Sequence, residues 1–372
     1  MKGMNSMKRI GTTIGGGLLL LLAGMGSTVL GKNTTGTAQD FGSSVEKEVT
    51  RLREQLAQPE LARSLGPREM GRLGSKLRAS EEALAFGASQ LGLRHLAQVR
   101  LDLGREVFLQ NNSTLETIEE LRALFAEVTS DRQPLFTPNP NNPRPAALRA
   151  LLEVSQGRAK RYLGSVMNHG QEAGVGAGLY YLAVARSFSG LTRFVAQLPY
   201  SPPKEPVGEL PGLESYLQQL ELEVIELYQP PLSVSRHRDF TSISAKLKFA
   251  RQLKDEGALI GALELALDAR EGLARFENSE HAMLGSIEAS FTEQGARLDA
   301  KGRDHSLGRL LHARARAALE ALVMEDKGES AAEALVLVES MLPEYFACFS
   351  GEEQQELEQE EVTVTLVRWP FT

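Results

Sequence analysis

The sequence predicts an all-α fold of stacked antiparallel helical hairpins, in the manner of an α-solenoid, with a short C-terminal β-strand. Three observations predict it. Apolar residues recur at helical spacing through most of the chain. Proline-rich stretches cut that chain into blocks. The last twelve residues, EVTVTLVRWPFT (361–372), alternate like a strand.

The N-terminus comes first. It holds Lys2, Lys8, Arg9 and Lys32, and no carboxylate precedes Asp40. From Ile10 to Gly31 the chain is uncharged, with Leu18 to Leu22 at its centre. A basic start followed by an apolar run is the layout of a secretory signal. Small residues allow cleavage after Gly31 or after Ala38. The rival reading is an uncleaved anchor, since a 22-residue run at about 1.5 Å per residue reaches across a ~30 Å hydrocarbon core. Seven glycines and three threonines in the run weigh against the anchor. Residues 1–31 are therefore predicted to be a signal peptide or N-terminal membrane anchor, and this is the chain's one predicted route to a membrane. Either way the body is expected to be exported, periplasmic or extracellular, or anchored by residues 10–31.

The 372-residue chain has a formal net charge of −7. Cleavage after Ala38 removes four positive charges and takes it to −11. An acidic protein is a poor nucleic-acid ligand, because phosphate neutralisation needs clustered Lys and Arg. The basic stretches RAKRY (158–162) and RHRD (236–239) carry single neighbouring aromatics, Tyr162 and Phe240, so no stacking platform is predicted. The one cysteine, Cys348, reads as a small buried residue; an intermolecular disulfide would need it exposed.

Five prolines fall in 132–145 and five in 199–211, and Pro230 and Pro231 break a further helical pattern. Proline removes a backbone donor and clashes with the preceding turn, so these stretches read as loops. They delimit an N-terminal helical region (40–128), a central helical hairpin (146–198), a second helical region (211–361) and the tail (362–372). Val45, Val49, Leu52 and Leu56 recur on one helix face, with Ser44 as the expected N-cap. Leu115, Ile118, Leu121, Leu124 and Phe125 form another stripe, with Ser113 or Thr114 as expected caps. Glycines 87, 92 and 104 predict kinks or breaks within 80–109. The stretch 173–198 is rich in small residues, with Gly174 and Gly178 spaced for close helix approach. Arg186 and Arg193 argue for a buried helix there rather than a membrane span.

The stretch KLKFARQLKDEGALIGALELALDAR (246–270) carries a recognisable pattern. Ala250 is small where one helix crosses the next, Leu253 is large a turn later, and Gly257 stands at the break. Leu259, Ala262, Ala266 and Ala269 then line one face of the second helix. Over about 243–276 this resembles a tetratricopeptide repeat. It departs from the pattern at Lys246, Leu259 and Ala266, where aromatics are usual, and at Ala274, where a proline closes the unit. The resemblance implies binding of a peptide or protein in a concave groove. A non-repeat bundle of α-hairpins is the open alternative.

Chemistry-bearing motifs are scarce. Asp40-Phe41-Gly42 and His237-Arg238-Asp239 stand in the wrong order for a kinase. The histidines at 95, 169, 237, 281, 305 and 312 form no HExxH or ExxH. Glu277 with His281, and His305 with His312, read as surface pairs. No phosphate loop or nucleophile elbow is present, and no cofactor or metal is predicted. The tail residues Val364, Leu366, Arg368, Trp369 and Phe371 are candidates for capturing a partner, or for packing on the body or against 231–235. The predicted function is a non-enzymatic protein-binding or scaffold protein of the cell envelope, with a protein or peptide partner. The alternative is an envelope enzyme with a dispersed active site.

Overall fold

A computed structural model describes residues 37–130, 136–228, 236–274, 284–299, 303–325 and 336–349. The helices are α1 (Thr37–Leu56), α2 (Pro59–Ala85), α3 (Ser89–Asn111), α4 (Ile118–Ser130), α5 (Ala146–Ala173) and α6 (Val175–Gln197). They continue as α7 (Leu213–Leu227), α8 (His237–Asp255), α9 (Leu259–Ala274), α10 (Leu284–Asp299) and α11 (Ser306–Glu325). A π-helical turn, Val336–Met341, leads into α12 (Leu342–Ala347).

The body is all-helical, with extensive packing between stacked hairpins. The pair α2–α3 lies against α6, the long central pair α5–α6 follows, α9 packs on α5, and α8 and α7 complete the stack. Helix α11, the π turn and α12 close one end over α9. The largest core joins α5, α7, α8, α9, α11 and the π turn; a second joins α1, α2 and α3 to α5 and α6. Cys348 lies in the first of these at 1% exposure, and burial with nearby Glu344 pushes its thiol up to about 12. The geometry leaves it no route to an intermolecular disulfide.

The expected C-terminal β-strand is corrected: the fold is all-α, and no strand occurs among the described residues. The one β-type contact there is an isolated bridge between Glu205 and Arg303. The physical reason is that a strand needs a sheet edge, whereas helices satisfy their own backbone groups and offer none. The tail residues Val364, Leu366, Arg368, Trp369 and Phe371 lie outside the described residues. So do residues 1–31, the segment 231–235 and the pair Glu277 and His281.

Two expected caps are also corrected. Ser44 lies inside α1, where its hydroxyl donates to the Asp40 carbonyl at 2.8 Å. Helix α4 is started by Thr117, not by Ser113 or Thr114. The Thr117 hydroxyl accepts from the Glu120 amide at 3.3 Å, and the Glu120 carboxylate accepts from the Thr117 amide at 3.0 Å. That reciprocal pair is a capping box. The break within 80–109 falls at Gly87 alone; Gly92 and Gly104 are inside α3.

The same turn occurs twice. At Gly87 (φ 76°) the Ala88 amide donates to Ala83 O at 2.8 Å and the Gly87 amide to Leu84 O at 2.9 Å. At Gly257 (φ 79°) Ala258 donates to Leu253 O at 2.8 Å and Gly257 to Lys254 O at 2.9 Å. Both are Schellman caps, which need the left-handed conformation that glycine adopts without a Cβ clash. The next helix then starts with Gly92 donating to Ala88 O, and with Ala262 donating to Ala258 O.

Two helices receive their N-terminal caps from distant residues. Pro145 precedes α5 and has no capping side chain. Asp304, from the α10–α11 link, accepts from the Ala146 amide at 2.6 Å and from the Ser306 amide at 2.9 Å. The Ser306 hydroxyl accepts from the Ala147 amide at 3.0 Å. Glu153 on α5 accepts from the Gly261 amide, in the first turn of α9, at 2.7 Å.

The small residues of 173–198 serve close crossing as expected, but only one glycine of the expected pair takes part. Gly178 of α6 faces Gly170 of α5, whereas Gly174 (φ 95°) forms the turn between the two helices. A Cβ on Gly178 would stand 2.5 Å from Leu121 Cδ2, 2.9 Å from Gly170 Cα and 3.0 Å from Val166 O. Two of those atoms are backbone and cannot rotate away. Gly178→Val is expected to cost about 3 kcal/mol by overpacking. Gly164→Ala, whose new Cβ meets nothing within 4 Å, is expected to gain about 0.5–1 kcal/mol from helix propensity. Urea unfolding of the two variants reads both signs.

Candidate functional site

The residues of the resembling hairpin lie at helix interfaces. Ala250, Ala262, Ala266 and Ala269 are fully buried and Leu253 nearly so. Leu259 is half-buried and Gly257 forms the turn. These residues set the crossing of α8 and α9 and present little to a partner. Above them runs a polar seam between α3, α9 and α11. Arg94 pairs with Glu264 and, at 3.2 Å, with Asp268; Arg314 pairs with Glu271 at 3.1 Å. Arg94 and Glu264 each stand seven residues after their turn glycine, so equivalent positions of the two hairpins meet. His95 is held beside this seam. Burial, with Lys76, Arg314 and Arg94 close by, pushes its pKa down to about 4.

A partly exposed aromatic band lies across α5 and α6, with a margin from α3; its Val184 and Phe188 are buried and its tyrosines reach solvent. On α5, Arg158, Tyr162 and His169 share a face at helical spacing. On α6, Tyr181, Val184 and Phe188 share the facing stripe. Tyr162 stacks on Phe188 with ring centres 6.1 Å apart and tilts against Tyr181 at 5.5 Å. His169 lies 3.9 Å from Tyr181, and Tyr180 extends the band at 45% exposure. The Arg158 guanidinium lies over Phe188 at 5.5 Å, Arg161 over Phe249 at 5.7 Å, and Arg105 over Tyr180 at 5.9 Å. Arg105 is paired with Asp102 and Glu106. Arg158 and Arg161 have no carboxylate partner among the described residues. The basic stretch 158–162 therefore sits beside several rings, where the sequence shows one. The others arrive from α6, and the signal that points to them is the spacing of Tyr181, Val184 and Phe188.

The two proline-rich loops meet at the other end of α5 and line an open cavity of about 540 Å³. Phe136, Pro140, Tyr200 and Val207 supply apolar wall, and Arg144 and Arg149 supply charge. Arg149 is compensated: it pairs with Glu153 at 3.1 Å and donates to Val207 O at 3.0 Å. Arg144 lies over the Tyr200 ring at 4.3 Å and donates through Nη2 to Ala196 O at 2.7 Å. Its Nη1 is enclosed and has no acceptor.

The remaining histidines near the core have ordinary partners. His312 stacks on Phe291 and its Nε2 lies 3.1 Å from Phe291 O; His305 Nδ1 lies 3.1 Å from the Tyr345 hydroxyl. They contact different neighbours and do not form the surface pair that their spacing suggests. Among the described residues no group of three or more His, Cys, Asp or Glu is placed to hold a metal. No helix there is long and apolar enough to cross a membrane. Comparison with family models, with curated proteins and with solved structures finds no match for the chain. The functional reading therefore rests on these surfaces alone.

Proposed function

We propose that the protein is an exported, non-enzymatic protein-binding scaffold of the cell envelope. It seats an acidic peptide segment of a partner across the aromatic α5–α6 face. The observation that carries this reading is the pair of arginines without a carboxylate partner among the described residues: Arg158, over the Phe188 ring that stacks on Tyr162, and Arg161, over Phe249 at the margin of the face. Partly exposed tyrosines with arginine are the compositional mark of protein interfaces. In a chain of net charge −7, unpaired cations select carboxylates by charge complementarity.

The tetratricopeptide-like reading draws support from the second glycine turn. Leu73, Lys76, Leu77, Ser80 and Gly92 precede and follow Gly87 as Ile243, Lys246, Leu247, Ala250 and Ala262 do around Gly257. A repeat array needs about three stacked units to close a core, and α5–α6 packs against both of these hairpins. Export rests on the basic and apolar start of the chain. N-terminal sequencing of the secreted protein should begin at Lys32 or Gln39; a chain that retains Met1 and stays in the cytoplasm overturns it.

The test of the face uses a fluorescent peptide of alternating Glu and Tyr, read by anisotropy at moderate salt. Saturable binding is expected, weakened at least tenfold by Arg158→Glu with Arg161→Glu, two exposed or half-exposed positions. Absence of binding overturns the reading. So does a dT oligonucleotide that binds more tightly than the peptide.

A further inference from the structure

We propose that the cavity between the two proline-rich loops is a binding site for an apolar ligand bearing one carboxylate, with Arg144 as its counter-charge. This site is separate from the α5–α6 face, and its occupancy does not depend on the partner proposed there.

Two guanidiniums line the cavity and differ in one respect. Arg149 is neutralised by Glu153 and by the Val207 carbonyl. Arg144 is half-buried, holds a single hydrogen bond to Ala196 O, and is matched by no carboxylate among the described residues. A cation drawn out of water without a counter-ion is costly, and an enclosed guanidinium N–H without an acceptor adds to that cost. Such a group calls for an explanation, and Arg144 lines a cavity in which a ligand would supply the missing counter-charge. Burial shifts Arg144 downward from its ordinary range, in keeping with a charge that the fold leaves unmatched.

The remaining wall defines the rest of the ligand. Phe136, Pro138, Pro140, Pro143, Pro206 and Val207 are apolar. Tyr200 braces the guanidinium from below, and its hydroxyl is already committed to the Asn142 carbonyl at 3.2 Å. Asn139 Oδ1 accepts from the Asn141 amide at 3.0 Å. The volume of about 540 Å³ lies within the ~300–1,000 Å³ of small-ligand pockets. Proline fixes φ, so the loops lose little freedom when the cavity fills. A guanidinium favours a planar carboxylate, which it can engage through two parallel hydrogen bonds. That carboxylate could belong to a free acid or to the C-terminus of a peptide.

Calorimetric titration of the full chain separates these sources. The probes are 3-phenylpropionate, the dipeptide acid N-acetyl-Pro-Leu, and its C-terminal amide. One-to-one binding of at least one acid is expected, with the amide at least tenfold weaker than the dipeptide acid if the dipeptide binds. Preference for phenylpropionate assigns a free acid, and preference for the dipeptide assigns a peptide end. Arg144→Lys is expected to weaken binding at least tenfold. Gly208→Trp is the second variant. A Cβ at Gly208 meets nothing within 4 Å, so the indole can enter the cavity without displacing backbone. It is expected to abolish binding with the melting temperature unchanged, and it decides the outcome if Arg144→Lys fails to fold. The proposal is overturned if neither acid binds, if acid and amide bind alike, or if folded Gly208→Trp binds undiminished. Retained binding to the Glu-Tyr peptide in Gly208→Trp would show that the α5–α6 reading survives such a failure.

Discussion

Asp304→Ala is expected to lower the unfolding free energy by about 3–4 kcal/mol. The carboxylate is 9% exposed and accepts from the Ala146 and Ser306 amides. Removing it leaves two buried donors without acceptors, at about 1–3 kcal/mol each, and strips α5 of its cap. Helix α5 is also the helix that α6, α9 and α11 pack against, so its first turn cannot fray independently. The comparison variant is Asp299→Ala. Asp299 is half-exposed and lies 3.9 Å from Arg309, a surface pair worth about 0.5 kcal/mol or less. Urea unfolding that shows equal losses for the two variants would rule out the tertiary cap as a dominant contact.

Stability is also expected to fall as pH drops from about 6.5 to about 4, with His95 as a main cause. The unfolded chain takes a proton on His95 near 6.5, whereas the folded protein resists it down to about 4. Between those values the unfolded state holds more protons, so acid favours unfolding and stability rises with pH. The charged groups that face His95 are Lys76 on α2, Arg94 on its own helix and Arg314 on α11. The acids of α9 that could offset them are engaged: Glu264 and Asp268 with Arg94, and Glu271 with Arg314. The full shift corresponds to about 3 kcal/mol, and residual solvent contact reduces this to about 2 kcal/mol. His305 and His312 are lowered by burial and act in the same direction. Urea midpoints at pH 7.5, 6, 5 and 4 should decline less steeply in His95→Gln than in the parent protein. Parallel declines would remove His95 from the account.

The relation of sequence to structure is uneven, and particular residues show why. The α8–α9 hairpin is legible in the sequence because Ala250, Gly257, Ala262 and Ala269 act locally, within two helices joined by one turn. The twin turn at Gly87 has the same local chemistry and escapes that pattern. Leu91, Gly92 and Leu96 there replace Gly261, Ala262 and Ala266, which blurs the small-residue spacing. Helix α4 starts a few residues beyond the expected caps, because several hydroxyls compete and only the Thr117–Glu120 pair closes a reciprocal box. The tail reads as a strand from alternation alone, and alternation says nothing about whether an edge exists to pair with.

Sequence alone decides the helical class, the interruption of the chain by two proline-rich loops, and the Gly257 turn. Each depends on contacts within one or two turns of chain, where residue spacing and backbone freedom set the outcome. Packing in three dimensions decides which groups are left unmatched. Glu153 and Asp304 are consumed as caps for helices 108 and 158 residues away. Arg149 is consumed by Glu153. Arg144, Arg158 and Arg161 carry the same side chain and remain uncompensated. Whether a charge is spent or free depends on partners brought together in space, and spacing along the chain does not carry that information.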